Sequence, residues 1–178
     1  MSESSINIRY LRQFELVLVI IGVLVLIDLT LDRARGLMAE AERLSFIVTV
    51  NNLRSAVSYE LVRRLAAGVP FDELTQMAGA NPITFADPPH NYQGVADGPD
   101  GLNMPPGSWY FNHFEQTLVY RVRNLARFSS SLPTRDRVRF RIEARYRDTG
   151  TPNGGRHDLL GVELIALDTY RWQGLGED

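Results

Sequence analysis

The chain has 178 residues, 44% of them apolar and 22% charged, with a net charge of −2 at neutral pH. That suits one globular unit with a core of its own, plus an anchor. Cysteine is absent, which excludes a disulfide framework, a thiol nucleophile and a cysteine-based metal site, and all nineteen basic residues are arginine.

The first element in chain order is an apolar run, FELVLVIIGVLVLI, from Phe14 to Ile27. It comprises Phe14, Leu16, Val17, Leu18, Val19, Ile20, Ile21, Gly22, Val23, Leu24, Val25, Leu26 and Ile27, with Glu15 as its one charge. At about 1.5 Å of rise per residue the run covers roughly 21 Å, short of the ~30 Å hydrocarbon core of a bilayer. Thinning of the bilayer, or snorkelling of Arg9 and Arg12 at one end, completes the span. Extension to Leu31 takes in Asp28. A signal peptide is one rival reading, but the following DLTLDRARGLMAEAERL has no small-x-small cleavage site in the right place and keeps a helical composition. A buried core helix is the other, since apolar runs of about 10–14 residues commonly have that role. The expectation is a membrane anchor. Gly22 within it is a kink, a close-packing point or a tolerated single glycine.

From Leu29 to Ala67 there is no proline, and Gly36 is the single glycine. Apolar residues at Phe46, Val50, Leu53, Val57, Leu61 and Leu65 recur in steps of three or four, the stripe of an amphipathic helix. Gly68 followed by Val69 and Pro70 stops it. Residues 8–67 therefore read as one helix, apolar all round in its first half and one-sided in its second. The second half needs a sheet or a bundle to cover.

Residues 70–107 hold seven of the nine prolines and read as a long loop with a short helix at Asp72–Ala78. The period then changes to two. Ser108–Asn112 and Thr117–Arg123 read as strands joined by a turn at His113–Gln116, and Arg137–Arg147 alternates strictly between apolar residues and charges. Thr149–Asp158 is turn chemistry, and Leu159–Trp172 reads as a last strand. The expected fold is α+β: one long N-terminal helix packed on a four-stranded antiparallel meander. The expected domains are 1–32, tail and transmembrane half of the helix, and 33–178, divided into an amphipathic helix (33–68), a proline-rich loop (69–107) and the sheet (108–172).

Between Arg121 and Arg147 stand nine arginines and only two acids, Asp136 and Glu143. A face carrying Arg121, Arg123, Arg137, Arg139, Arg141, Arg145 and Arg147 could grip DNA or another polyanion. The plainer reading is a solvated sheet face whose arginine heads pair with Glu163 and Asp168, because no aromatic residues alternate with the arginines as a stacking platform requires. His90, His113 and His157 lie in separate turns without metal-ligand spacing. Asp87 and His90 with Ser129, Ser130 and Ser131 form a trio that any chain of this length offers, with no nucleophile elbow. Gly154-Gly155 is a hairpin turn rather than a phosphate loop. Trp109 and Trp172 read as core or sheet-edge aromatics. No cofactor, metal or catalytic residue is expected.

A long helix, half anchor and half sheet cover, then a proline-rich loop and an antiparallel meander, resembles the type IV pilins and the pseudopilins of type II secretion. The sharpest local point is Glu15, an acid at the entrance of the apolar run. The resemblance aligns it with the acid at the fifth position of the family's mature chain, which makes Leu11 the first mature residue, and implies pairing with a neighbouring subunit's N-terminal amine. Trp109-Tyr110-Phe111 with Leu118–Arg123 also looks like pilin-like proteins of mannose-sensitive haemagglutinin type pilus systems. Tyr10 stands where the family's peptidase needs glycine, and Leu11-Arg12-Gln13 replaces its apolar start. Without cleavage, Arg12 is the nearest counter-charge to Glu15, and the bland role of Glu15 is an interfacial acid at a helix start. The resemblance implies a non-catalytic, single-pass inner-membrane component with a cytoplasmic N-terminus and a periplasmic domain. Its partners would be other pilin-like subunits, inner-membrane assembly proteins and the lipid bilayer, with nucleic acid the lesser candidate. Arg9 and Arg12 on one side of the run balance Arg33 and Arg35 on the other, so charge bias alone sets no orientation.

Overall fold

The computed structural model describes residues 3–96, 103–147 and 158–174. The first helix, α1, runs from Glu3 to Ala66, and the chain divides into two compact units, Met1–Ala41 and Glu42–Asp178. From Glu42 onward the helix is bonded and packed to the sheet.

In the second unit the one-sided stretch of α1 does what its stripe implies over its first four positions, whereas Leu61 is only partly buried and Leu65, at the helix end, is exposed. Phe46, Val50, Leu53 and Val57 are all buried, in one core cluster with Trp109, Tyr120, Phe140 and Ile142. Phe46 is the hub of an aromatic group. Its ring stacks on Trp109 at 5.5 Å between centroids and lies 5.2 Å from Tyr120, 5.2 Å from Trp172 and 5.6 Å edge-on from Tyr170. Such pairs add about 0.5–1.5 kcal/mol each to the burial of apolar area. The helix ends as its glycine predicts. Gly68 takes φ +74°, its N–H bonds the carbonyl of Leu65 at 3.0 Å, and the N–H of Val69 reaches back to Arg64 at 3.1 Å. This is the Schellman arrangement, which consumes carbonyls the helix cannot satisfy. A short helix α2 (Phe71–Leu74) and a 3-10 turn at Thr75–Met77 occupy the place of the expected Asp72–Ala78 helix. Asn81 caps a second such turn, Pro82–Phe85, by accepting the N–H of Ile83 at 3.1 Å.

The strands are β1 (Tyr92–Ala96), β2 (Ser108–Asn112), β3 (Thr117–Arg121), β4 (Phe128–Ser130), β5 (Arg137–Arg147), β6 (Asp158–Ala166) and β7 (Tyr170–Trp172). They form a five-stranded sheet of order β1-β2-β3-β5-β6 and a two-stranded sheet of β4 and β7. The class is α+β with a long N-terminal helix, but three expectations need correction. The segment read as loop contains β1, which pairs parallel with β2, so the sheet is mixed. Its composition, YQGVA, carries no alternating signal. Its place is set by the side-chain amide of Asn91 on the Gly107 carbonyl (2.8 Å) and by the Trp109 N–H on the Asn91 carbonyl (3.1 Å). The expected last strand is two: β6 leaves the ladder after Ala166, Asp168 turns inward, and β7 crosses to pair with β4. Finally, β3 ends at Arg121, although the Val122 N–H still bonds the Asp136 carbonyl at 2.7 Å.

The alternation fixes which residues share a face. Trp109, Phe111, Leu118, Tyr120, Val138, Phe140 and Ile142 lie against the helix. The opposite face carries Tyr110 and Val119, buried in a small second cluster with Ala96, and the arginines of β5.

Candidate functional site: an apolar rod and an arginine-rich sheet face

The first candidate lies in the first unit. Every side chain from Arg12 to Arg33 is exposed, and fourteen large apolar residues between Phe14 and Leu31 are 47–68% accessible. Covering them is worth about 1–2 kcal/mol each, on the order of 20 kcal/mol together. By length and composition this is a helix that can cross a membrane, as a span or a signal anchor. One of its few polar groups is satisfied within the helix: the Thr30 hydroxyl donates to the Leu26 carbonyl at 2.7 Å. Arg35 bonds Asp32 at 3.1 Å just beyond the apolar run. Arg12 and Glu15 border one shallow concavity with Leu16 and Val19. The backbone of Tyr10 and Leu11 is helical, and their side chains lie outside the described set.

The second candidate is the arginine face of β5, and here the structure pairs the cations. Asp168, almost wholly buried, accepts the Arg139 backbone N–H at 3.0 Å and its guanidinium at 2.9 and 3.1 Å. Asp136 is shared by Arg137 (3.0 Å) and Arg121 (3.2 Å). Burial alone would raise the Asp136 carboxyl, but Arg137, Thr134 and Arg121 overcome it and hold the group below the usual carboxylate range. Arg145 meets Glu163 across the strands at 3.2 Å, in solvent. Arg141 donates to the Glu115 carbonyl at 2.9 Å, and Arg123 to the Pro106 carbonyl at 3.1 and 3.3 Å. Arg121 also bonds the Met104 carbonyl. The side chain of Arg147 is not among those described. Both acids named from the sequence, Asp168 and Glu163, thus hold arginines; Asp136 takes two others, and the Glu115 carboxylate stands 3.4 Å from Arg139.

Of the remaining sequence candidates, the serines serve turns. Ser130 Oγ accepts the Leu132 N–H at 3.3 Å, and Ser131 Oγ accepts that of Thr169 at 3.2 Å. Among the described residues no cluster of three or more His, Asp or Glu is placed to hold a metal ion. His157, Gly154 and Gly155 lie outside the described residues, as does most of the turn Thr149–Asp158.

One residue of consequence escaped the sequence reading. Glu42 stands one turn before Phe46, on the buried stripe of α1, and its carboxylate accepts four hydrogen bonds. Oε1 takes the Arg123 backbone N–H (2.7 Å) and the Tyr120 hydroxyl (3.0 Å); Oε2 takes the Asn124 backbone N–H (3.0 Å) and side-chain amide (2.6 Å). Burial, and then the negative charge of Glu42, push the Tyr120 phenol up, so it remains a donor. The signal was available: an acid in phase with an apolar stripe needs a partner.

No protein-family model, no curated protein and no solved structure matches the chain. What the geometry defines by itself is a class: an α+β protein whose long N-terminal helix carries a bare apolar stretch and, further along, the cover of a mixed sheet.

Proposed function

We propose that the protein is a non-catalytic, membrane-anchored, pilin-like component of a type IV pilus or related secretion apparatus, working through helix–helix association. The carrying observation is α1 itself. One helix supplies an apolar stretch with nothing over it at Phe14–Leu31 and the core-facing stripe Phe46–Val57. Lateral association is supported by the other face of the same helix in the second unit. Leu44, Val48, Asn51, Ser55, Tyr59 and Val62 are all exposed, follow one another at helical spacing and carry no charge. A helix face meant only for water ordinarily carries charged residues. The polyanion-binding alternative draws less support, because the heads of the arginine face are engaged by acids and carbonyls of the same chain. In this reading the anchor lies in the inner membrane with the C-terminal unit outside the cytoplasm.

The test uses the intact protein in its native cells. Membranes are washed with alkaline carbonate, and photo-crosslinking residues are placed at Val48 and Tyr59 on the open face and at Val57 in the core. Retention in the pellet with crosslinks to other pilus or assembly subunits from Val48 and Tyr59, and none from Val57, is expected. A chain that stays in the aqueous phase without detergent defeats the proposal.

A further inference from the structure

Where its apolar stretch ends, α1 carries an acid and a cation that the helix itself leaves apart. Asp32 is taken by Arg35 at 3.1 Å, whereas Asp28 and Arg33 are exposed and form no ion pair among the described residues. We propose that Asp28 of one copy pairs with Arg33 of a second copy lying beside it in the bilayer, parallel and displaced along the helix by about five residues. The inference rests on the membrane-anchor reading and names the partner the anchor meets.

Depth sets the need. A span of about 20 residues counted from Phe14 ends at Arg33, so Asp28 lies roughly 7.5 Å inside the hydrocarbon and Arg33 at its edge. A carboxylate at that depth is costly in lipid, and acids so placed face another helix rather than the acyl chains. Its own helix supplies no cation. The positions three and four away, Leu24, Val25, Leu31 and Asp32, hold none, and Arg33, five residues on, points about 140° away around the axis. Between two parallel copies shifted by five residues, about 7.5 Å, the same two groups come level. A different protein would need its own cation at this depth; a second copy already has one, unpaired. Because Asp28 and Arg33 occupy different faces, each copy meets one neighbour with its acid and another with its cation. Such a contact repeats from copy to copy rather than closing on a pair. The packing surface agrees with the charges. Gly22 lies eleven residues, about three turns, before Arg33 and so shares its face, with open space where a Cβ would stand. At the same displacement Val17, on the Asp28 face of the neighbour, comes opposite that glycine, and a glycine there lets the two backbones approach closely.

The chain has no cysteine, so introduced pairs report without background. Two tagged full-length copies are co-expressed in the native cells, Ile21→Cys in one and Leu26→Cys in the other, positions that face each other at this displacement. Their membranes are then oxidised with copper phenanthroline. A mixed disulfide is expected, in clear excess over disulfides between identical positions. Asp28→Asn or Arg33→Gln should lower its yield about tenfold. Asp28→Arg alone should abolish it, and Asp28→Arg with Arg33→Asp in the same chain, which exchanges both charges, should restore it. An unchanged yield in both neutral variants, Ile21–Ile21 disulfides in place of the mixed one, or a double exchange no better than Asp28→Arg alone would overturn the pairing. Alkaline carbonate washing of the same membranes separates the two readings. A chain that leaves the membrane overturns the anchor and the pairing together, whereas a chain retained in the pellet without the mixed disulfide overturns the pairing alone.

Discussion

Replacing Glu42 tests how the helix is held to the sheet. Its four bonds differ in what is left behind. The Tyr120 hydroxyl, in a residue only 3% exposed, would be stranded, at a cost of about 1–3 kcal/mol. The Arg123 and Asn124 N–H groups lie nearer the surface, where water can replace the carboxylate, so each loses only about 0.5 kcal/mol. Alanine returns a few tenths of a kcal/mol in helix propensity. Glu42→Ala should therefore lose about 2–4 kcal/mol. Glu42→Gln should recover less than half of that, because four donors converge on the carboxylate and the glutamine NH₂ would confront at least one of them. For a unit of this size the Ala variant melts about 5–15 °C lower. The assay is thermal unfolding of the full chain in detergent micelles, followed by tryptophan fluorescence, since Trp109 and Trp172 both sit in the aromatic group around Phe46. A glutamine variant as stable as wild type would refute the reasoning, because a clamp made of acceptors alone cannot tolerate the amide.

Phe46→Ala, which removes the hub of the aromatic group, should destabilise by about 3–5 kcal/mol in urea unfolding, whereas Val48→Ala on the open face should stay within about 0.5 kcal/mol. Asp168→Asn should cost about 2–3 kcal/mol, because Arg139 keeps its charge with one firm partner fewer; equal urea midpoints for variant and wild type would contradict the pairing. Glu60 is bonded by Arg63 and then Arg64 at 2.7 Å, and its pKa is lowered from 4.5 to about 2. A lowered folded-state pKa stabilises above the unfolded value and is lost as pH falls through the folded one. Stability should thus drop between about pH 4.5 and 2 by a few tenths of a kcal/mol more in wild type than in Glu60→Gln, given the solvent around both pairs. The comparison of their urea midpoints at pH 6 and pH 3 reads it.

The one-dimensional signals are legible in the amino-acid sequence alone. Residue-by-residue hydropathy marks the rod from Phe14 to Ile27, a three-to-four step marks a stripe from Phe46 to Leu65 that the sheet covers as far as Val57, and Gly68 marks the helix end. Strict alternation places Val138, Phe140 and Ile142 on one face of β5 and its arginines on the other. Each is a local pattern, set by the geometry of a helix or a strand, so neighbours in sequence suffice to reveal it. What only the tertiary structure decided involves partners far apart in the chain. The strand β1 exists because Asn91 and Trp109 hold a weak segment beside β2, not because its five residues favour extension. The last strand breaks where Asp168 finds Arg139, a reward invisible to a window that sees only the chain around residue 168. Glu42 looks like one more surface acid until Tyr120, Arg123 and Asn124 converge on it. A local pattern states what a segment can bury; only the folded chain determines which polar group meets which, because that choice is made by groups dozens of residues apart competing for the same few donors and acceptors.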